Sequence, residues 1–294
     1  MKDIKLFVSV YRAETKACPP LYPVSAGAAL YQVSDPVLPL RDDSGDNISE
    51  KNPQFCELTV QYWGYRNQSF DIGGLLHQRR YFDVSDEHPF AFDQPHPPKR
   101  PYRIADSPEN TPFSDPQYLT ERISALFERY RFVAPLSENL YQSVQAYYNK
   151  HDRQEFDDLS LTLNIIKTLY PDYLDSAKAY FNGHNAYFCN MFMADYPLFC
   201  EYSHWLFSVL SEYTKQKPAH LQYPREQGKI AERLFGVYFT HLKQHTDIPW
   251  AELPRIHFAS VGGATPENTS FQKLWYRLCP PGSLRRGIVR KFGH

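Results

Sequence analysis

The segment SFDIGGLLHQRRYFD, residues 69–83, contains the pattern that decides the fold class of this chain. Its apolar run, residues 72–76, has the length and flanks of a buried β-strand, and it ends abruptly in the polar sequence HQRR, residues 77–80. In open α/β sheets, ligands bind outside the carboxyl ends of the strands. The basic cluster therefore lies where a binding site is expected.

The side chains at this strand end are suited to phosphate. Arg79 and Arg80 carry planar guanidinium groups, each of which can donate two parallel hydrogen bonds to one phosphate group. A structural interpretation fits the same residues, with both arginines in surface or interdomain salt bridges and His77 as a hydrogen-bonded core imidazole. These four residues alone leave both interpretations open.

The composition indicates a protein that can bury a full core. The chain has 294 residues, 42% of them hydrophobic, and its net charge of -1 provides no positive field that would attract a nucleic acid. The five cysteines show neither a CxxC pair nor zinc spacing, so we expect free thiols in a reducing compartment. Because no apolar run approaches about 18 residues and no signal peptide is recognisable, we expect a cytoplasmic protein.

Hydrophobic periodicity predicts an α/β fold with a helix-rich C-terminal half. A first strand is expected at residues 4–10, with Tyr11 at its carboxyl end, and the proline-rich residues 17–52 are expected to form a loop. Further strands are predicted at 132–134, 186–194 and 255–260, and helices at 117–130, 137–151, 157–170, 171–181, 196–214 and 225–242.

Asn52 followed by Pro53 predicts a helix start, with the Asn52 side chain as the cap and an unbroken helix to residue 67. The residues before it, Asp46, Asn47 and Lys51, lead into a helix N-terminus, which favours anions. A plain turn and cap is the alternative.

Two segments depart from the alternating pattern. Residues 84–116 contain eight prolines and predict no regular element; they are interpreted either as a lid over the site or as a solvated excursion. Residues 275–294 contain five basic residues and no acidic one, with an apolar stripe. They fit either a basic amphipathic tail attracted to anionic lipid or a solvated tail.

Three carboxylates are candidates for a general base or a charge stabiliser. Asp157 and Asp158 stand at a helix start, where acidic residues are favoured by the helix dipole alone. Glu232 lies beside Arg233 and fits either a buried ion pair or a site. The chain has no Gly-rich dinucleotide motif, P-loop, HExxH or GxSxG motif.

Several segments together resemble a family first catalogued as a domain of unknown function in bacterial capsule and O-antigen gene clusters and regarded as GT-A type glycosyltransferases. The resemblance covers residues 4–258 in the family's order. It is carried by KLFVSVYR (5–12), PVSAGAAL (23–30), DDSGDNISEKNPQFCELTVQYWGYRN (42–67), GLLHQRRYF (74–82), FDDLSLTLNIIKTLYPDY (156–173), CNMFMADYPLFCEYSHWLF (189–207) and GKIAERLF (228–235). Gln78 departs from the family's usual tyrosine.

The resemblance implies a GT-A-like, Rossmann-like mixed sheet flanked by helices. We expect a single domain at residues 1–274, with 84–116 as an insert or lid, followed by a basic tail at 275–294 that contacts the anionic inner face of the cell membrane. The implied reaction moves a sugar, a galactose-type hexose, from a nucleotide-sugar donor, a UDP-sugar, to a lipid-linked or growing bacterial surface polysaccharide.

The resemblance also implies roles for individual residues. Many GT-A enzymes hold a divalent metal with an Asp-x-Asp pair at the strand end that is here occupied by residues 77–80. Either Arg79 and Arg80 neutralise the donor diphosphate directly, which we favour, or His77 helps to bind Mg²⁺ or Mn²⁺. The expected donor-binding residues are Tyr11, Asp46, Asn47, Lys51, His77, Arg79 and Arg80; the expected acceptor-binding residues are His184, Asn185 and Asn190; the candidate catalytic residues are His77, Arg79, Arg80, Asp157, Asp158 and Glu232.

Two other functions remain open. One is a noncatalytic glycan-binding or scaffolding subunit of a polysaccharide assembly complex, and the other is a glycoside hydrolase. Product formation that depends on a nucleotide-sugar donor distinguishes a transferase from both.

Overall fold

The computed structural model describes residues 2–11, 19–31, 40–85, 101–105, 112–151, 157–258 and 285. The strands within these residues are β1 (Ile4–Val10), β2 (Leu21–Ser25), β3 (Leu40–Arg41), β4 (Ile72–His77), β5 (Arg80–Phe82), β6 (Tyr102–Ala105), β7 (Phe132–Pro135), β8 (Glu138–Asn139), β9 (Asn185–Ala186), β10 (Phe192–Asp195), β11 (Trp250–Leu253) and β12 (Arg255–Phe258). The helices are α1 (Asn52–Phe55), α2 (Leu58–Asn67), α3 (Pro116–Arg129), α4 (Val144–His151), α5 (Asp158–Leu169), α6 (Leu174–Asn182), α7 (Tyr196–Gln216) and α8 (Glu226–His245).

A mixed sheet flanked by helices forms the centre of the described residues, as predicted. Its main path runs β11-β7-β10-β4-β1-β2-β3, and β5, β12 and β6 extend it beyond the end of β4. The strands β4, β1, β2 and β3 pair in parallel, whereas β10 is antiparallel to both β4 and β7. The strands β8 and β9 form a separate two-stranded sheet.

The glycines of β4 allow neighbouring groups to approach its backbone closely. A Cβ atom on Gly73 would lie 2.1 Å from the ring of Phe70, and one on Gly74 would lie 2.6 Å from the backbone oxygen of Phe192. Separations below 3.0 Å are not tolerated without movement, so side chains at these two positions would push away either the Phe70 ring or the adjacent strand.

Alternate residues of the central strands pack into two hydrophobic cores. Phe7 and Leu75 belong to the core covered by α2, α5, α6, α7 and α8, whereas Val8 and Leu76 belong to the core covered by α3. This alternation follows from the two-residue period of a strand. Because both faces of the sheet are covered, β4 is apolar from Ile72 to Leu76, which explains the run that identified it in the sequence.

The prediction of a structureless loop at residues 17–52 is wrong in part. β2 lies within that range and pairs with β1 from Leu6↔Leu21 to Val10↔Ser25, and β3 then pairs with β2. Proline does not prevent this pairing: Pro23, which has no N–H to donate, stands opposite Val8 inside β2. The expectation that 84–116 has no regular element is likewise wrong at β6, which pairs in parallel with β12.

The prediction of one strand at 186–194 is also corrected. Ala186 ends β9, and β10 begins only at Phe192, because residues 189 and 190 form a turn between the two strands. The strand β11 was not predicted. It pairs with β7, and a four-residue strand leaves little periodicity to detect.

Some expectations lie outside the described residues. Residues 86–100 and 106–111 of the proposed lid are among them, and so is the basic tail at 275–294 apart from Arg285. The lid, the membrane contact of the tail and the domain boundary at residue 274 therefore stay predictions. No helix among the described residues combines the length and apolarity that a bilayer crossing requires.

A buried aspartate holds the loop after β2 against the segment before α1. Asp42 is fully buried, and its carboxylate accepts hydrogen bonds from the backbone N–H groups of Gly27 and Ala28 at 2.8 and 2.9 Å and from Ser49 Oγ at 2.5 Å. Hydrogen bonds to a buried charged acceptor are among the strongest in proteins. Asp42 thus joins two loops at the end of the sheet.

We predict that Asp42→Asn lowers the free energy of unfolding by about 2–3 kcal/mol. The substitution replaces one carboxylate oxygen, which accepts hydrogen bonds, by an amide NH₂ group that faces other hydrogen-bond donors. The matched control is Asp43→Asn, which removes a partly exposed ion pair with Arg41 and should cost no more than about 1 kcal/mol. Urea unfolding followed by circular dichroism measures both. Equal losses in the two variants would contradict the role given to Asp42.

Candidate functional site

Three chain segments converge at one edge of the sheet. β1 and β4 are parallel, with Ser9 opposite His77, so both strands end at this edge. β10 runs antiparallel to β4, with Phe192 opposite Leu75, so the turn that precedes β10 reaches the same edge. The register of the sheet therefore brings the ends of β1 and β4 together with residues 189–190.

The basic cluster lies on the hairpin between β4 and β5. Arg79 is in the tight turn and Arg80 is the first residue of β5, and both are half-buried. Within the described part of the chain, neither guanidinium group makes a hydrogen bond or an ion pair. The salt-bridge interpretation of these two arginines is thus wrong for the described residues, which supply no carboxylate partner for either positive charge.

His77 is held neutral beside these charges. Burial, followed by the charges of Arg80, Arg79 and Arg225, lowers the pKa of His77 to about 3. Its Nδ1 accepts a long hydrogen bond of 3.4 Å from the backbone N–H of Arg79, which also requires an unprotonated nitrogen. His77 is therefore a neutral imidazole at physiological pH.

His257 of β12 lies near the same group of basic residues. Its ring stacks on Tyr102 with centroids 4.1 Å apart. Burial and the nearby charges of Arg255 and Arg80 lower the pKa of His257 to about 2, and its Nε2 is buried without a hydrogen-bond partner.

The helix predicted at 53–67 is broken at Cys56, and the break creates part of the site. Cys56 has a positive φ of 52°. The Asn52 side chain does not cap the helix start as predicted; instead its Nδ2 donates to the carbonyl oxygen of Cys56 at 2.9 Å and to Thr59 Oγ1 at 3.1 Å. Glu57 follows this break. On a continuous helix its side chain would point in a different direction.

Glu57 meets Asn190 across the edge of the sheet. Asn190 Nδ2 donates to Glu57 Oε1 at 2.9 Å and to the carbonyl oxygen of Gly228 at 3.0 Å, and its own Oδ1 is buried without a partner. Burial raises the pKa of Glu57, and the charge of Glu232 raises it further, although the hydrogen bond from Asn190 opposes this. A carboxylate with a raised pKa is suited to accepting a proton near neutral pH.

The backbone at residues 189 and 190 is left-handed, and this conformation positions the Asn190 side chain against Glu57. Cys189 and Asn190 have φ values of 81° and 50°, a conformation that non-glycine residues seldom adopt and that costs about 1–3 kcal/mol per residue. The turn is held from below by Arg255, which donates to Cys189 Sγ at 3.2 Å and to Glu138 at 2.5 Å, and from above by Glu232, which accepts from the Cys189 N–H at 2.7 Å.

A cavity of about 280 Å³ opens beside Glu57 and Glu232. Arg225, with φ of 65°, precedes α8 at its rim, and its N–H donates to the carbonyl oxygen of Pro53 at 2.8 Å, which ties α8 to α1. Glu232 also accepts from Arg233 at 2.8 Å, so it belongs both to an ion pair and to the cavity wall. The lining residues are Cys56, Glu57, Tyr147, Phe188, Arg225, Gly228, Lys229, Glu232 and Arg233.

The structure brings together six of the residues predicted to form the site: Tyr11, His77, Arg79, Arg80, Asn190 and Glu232. Tyr11 follows β1, and partial burial together with the charges of Glu57 and Cys56 raises its pKa. The charge of Arg80 acts on Cys189, which hydrogen-bonds Glu232. These six thus belong to one continuous group with Glu57 and Arg225.

Three expected donor residues lie apart from this group. Asp46 accepts hydrogen bonds from Arg66 Nε at 2.6 Å and from the Tyr62 hydroxyl at 3.2 Å. Asn47 closes a local turn with Gly45 and Ser49. Lys51 lines a different cavity between α2 and α7.

Two of the candidate carboxylates have structural partners. Asp157 caps α5, where it accepts from the N–H and the hydroxyl of Ser160 at 3.0 and 2.6 Å. Asp158 is buried and accepts from Lys217 Nζ and Tyr213 Oη, both at 2.6 Å, while Lys217 also donates to the buried Glu226.

Of the remaining two expected acceptor residues, Asn185 is in β9 of the small sheet and His184 directly precedes it. His184 and Asn185 are exposed, and Asn185 pairs with Asn139 of β8. No group of three or more His, Cys, Asp or Glu side chains in the described ranges is arranged to hold a metal ion.

Sequence reasoning missed Glu57 and Arg225. Glu57 was missed because the sequence of residues 53–67 has the periodicity of one helix and does not indicate a break at Cys56. Arg225 directly follows Pro224 and directly precedes a helix. A proline followed by an arginine at the start of an amphipathic helix is a sequence signal that indicates a charged side chain at the helix N-terminus.

Two comparisons bear on this arrangement. A family model described as a domain of unknown function, DUF4422, matches residues 6–244. The apo structure of the bifunctional glycosyltransferase WbbM is similar, with a TM-score of 0.72 and 26% sequence identity over 88% of this chain. The match spans only 46% of that WbbM chain. No curated protein matches the sequence.

We predict that His77 makes the stability of the protein depend on pH. Its pKa in the folded state lies below the ordinary value of 6.5, so between pH 6.5 and about 3 the unfolded chain binds a proton that the folded chain does not. Stability should therefore fall as the pH is lowered through this window, by up to about 1 kcal/mol per pH unit from this group.

The measurement is the free energy of unfolding in urea from pH 7.5 to pH 4.5 for the wild type and for His77→Gln. The variant should lose stability less steeply than the wild type below pH 6.5, while His257 continues to contribute to both slopes. Parallel slopes in the two proteins would show that His77 is not a buried neutral imidazole.

Proposed function

This chain belongs to the DUF4422 family, and from that premise we propose that it is a glycosyltransferase of the GT-A type that uses a nucleotide-sugar donor. The similarity to WbbM, a glycosyltransferase, supports the reaction class. The proposed donor is a UDP-sugar carrying a galactose-type hexose, and the proposed acceptor is a lipid-linked or growing surface polysaccharide. We further propose that the protein works in the cytoplasm at the inner face of the membrane.

The observation that carries the proposal is that Arg79 and Arg80 have no carboxylate partner among the described residues. Half-burial of two guanidinium groups that these residues leave unpaired is costly, and an anion at the same place would offset that cost. They stand beside the carboxyl ends of β1 and β4, where a diphosphate would be expected. We assign them the donor diphosphate, whose negative charge grows as the bond to the sugar breaks.

His77 supports the same assignment. As a neutral imidazole it adds no third charge beside the two arginines, and one ring nitrogen can donate a hydrogen bond to a phosphate oxygen. No step of the reaction needs His77 to take up or release a proton.

Glu57 is the carboxylate that we assign to the reacting sugar. Its Oε1 is held by Asn190, while the cavity beside it provides space for a ligand. In transfer, an acceptor hydroxyl oxygen bonds to the anomeric carbon, and the bond from that carbon to the diphosphate oxygen breaks with its electron pair. The hydroxyl proton passes to Glu57 in a direct displacement, and in a retaining course the same carboxylate stabilises positive charge on the sugar.

The acceptor side of the proposal rests on Asn190 and Glu232. Asn190 Oδ1 is buried and unpartnered, which leaves an acceptor atom for a hydroxyl group, and Glu232 lines the cavity. Roles in ligand binding for Asp46, Asn47, His184 and Asn185 stay predictions.

The proposal predicts that the purified chain binds UDP and that removing the two guanidinium groups weakens this binding. Arg79→Gln and Arg80→Gln should each raise the dissociation constant about tenfold, because each removes a charge-assisted hydrogen bond. Isothermal titration calorimetry measures the effect. Arg129→Gln, an exposed arginine at the end of α3, is the matched control and should bind as the wild type does.

Transfer is then measured with a panel of nucleotide sugars, with and without a chelator. A chain that binds no nucleoside diphosphate, but binds glycans equally well after Arg79→Gln, would instead be the noncatalytic subunit. Activity on glycans without any nucleotide donor would indicate a hydrolase. Loss of transfer on chelation would show that a divalent metal shares the diphosphate with the arginines.

A second prediction concerns Glu57. Glu57→Gln should lower the transfer rate at least about a hundredfold while UDP binding is retained, because the amide cannot accept a proton and carries no charge. Glu50→Gln, an exposed neighbour on the same segment, is the control. Should Glu57→Gln keep its rate while Glu232→Gln loses it, the role belongs to Glu232.

A further inference from the structure

A second cavity, of about 700 Å³, lies between α2 and α7. It shares no lining residue with the cavity beside Glu57. The short helix α1 forms the wall between the two: Phe55 lines the larger cavity, whereas Cys56 and Glu57, the next residues, line the smaller one. The larger cavity is therefore distinct from the candidate active site and adjacent to it.

Aromatic rings provide one surface of this cavity. Tyr62 of α2 and Phe207 of α7 meet edge to face with ring centroids 5.0 Å apart, and Tyr65 adds a second edge-to-face contact to Tyr62 at 6.4 Å. All three rings are half-buried. Rings in this arrangement offer separate faces to the C–H side of a ligand, but no parallel slot that would enclose a flat base.

Polar groups line the cavity along α7. His204, Ser208, Ser211 and Lys215 recur at spacings of three and four residues, so they form one stripe over three helical turns, about 16 Å long. The side chains of His204 and Ser211 make no hydrogen bond among the described residues. An extended ligand with many hydroxyl groups matches a stripe of this kind.

The charge of the wall is positive. Lys51, Arg66 and Lys215 are cationic, and Glu212 is the carboxylate that lines the cavity with them. Arg66 is paired with Asp46, and Lys215 with Glu212, but the ammonium group of Lys51 has no partner within the described ranges. A ligand that carries negative charge is therefore favoured over a neutral one.

We propose that this cavity, the α2–α7 groove, binds an acidic oligosaccharide. The aromatic faces match the apolar C–H faces of such a chain, and the row of polar side chains matches its hydroxyl groups. Lys51, which has no partner among the described residues, matches its carboxylates. If the proposed function holds, on which this last step rests, the ligand is the part of the acceptor already polymerised, held on the far side of α1 from the growing end.

The test uses the full chain and three probes: a hyaluronan tetrasaccharide, which carries carboxylates; cellotetraose, which carries none; and UDP. Saturation-transfer NMR and calorimetry should show hyaluronan binding that exceeds cellotetraose binding. Phe207→Ala should abolish the hyaluronan signal, and Lys51→Gln should weaken binding about two- to fivefold. Lys178→Gln, an exposed lysine on α6, should leave it unchanged.

Because Phe207 also packs against the core, folding of its variant is checked by circular dichroism, and the exposed His204→Ala provides a second variant that should weaken hyaluronan binding without unfolding. UDP binding should be the same in His204→Ala as in the wild type. If hyaluronan does not bind while UDP binding is intact, the proposed role of the groove is overturned and the proposed function still stands. UDP binding that is lost in His204→Ala also overturns it, because the groove would then be a nucleotide site.

Discussion

The parallel pairing of β1 with β4 is the constraint on which the rest of the structure depends. Six backbone registrations, from Ile4↔Ile72 to Ser9↔His77, make both strands end at the same edge. Gly73 and Gly74 allow this pairing to remain close to Phe70 on one side and to β10 on the other. Without that register, Ser9 would not stand opposite His77, and the hairpin with Arg79 and Arg80 would not lie beside the end of β1.

The electrostatics of this edge follow from its position. Among the described residues, Arg79 and Arg80 have no carboxylate partner. Burial is the main reason why the pKa values of His77 and His257 are depressed, and the charges of the nearby arginines depress them further. The acids of the site have other donors: Asn190 donates to Glu57, and both the Cys189 N–H and Arg233 donate to Glu232. The site therefore separates a region for an anion from a region for a proton acceptor.

The segment with the sequence GDNISEKNP is largely a structural device. Asp42, just before it, accepts from the N–H groups of Gly27 and Ala28, and Ser49, within it, donates to Asp42 and accepts from the Ala29 N–H. Asn52 packs against Gly27, where a Cβ atom would lie 2.8 Å from its side chain, and it holds the break at Cys56. As a result, Phe55 at the end of α1 lines one cavity, and Glu57, two residues later, lines the other. Much of what makes the sequence recognisable therefore acts through the position of Glu57.

The sequence by itself determined the strands β1, β4 and β7, most of the helices and the basic end of β4, because apolar periodicity and a strand's abrupt charged end are local properties of the chain. Only the tertiary structure decided the break at Cys56, the left-handed turn at Cys189 and Asn190, and the position of Arg225. Each of these depends on partners distant in sequence, such as Gly228 for Asn190 and Pro53 for Arg225. The short strands β2, β3, β6 and β11 were missed or taken for loop for the same reason, since a few residues form a strand only where a neighbouring strand supplies the hydrogen bonds.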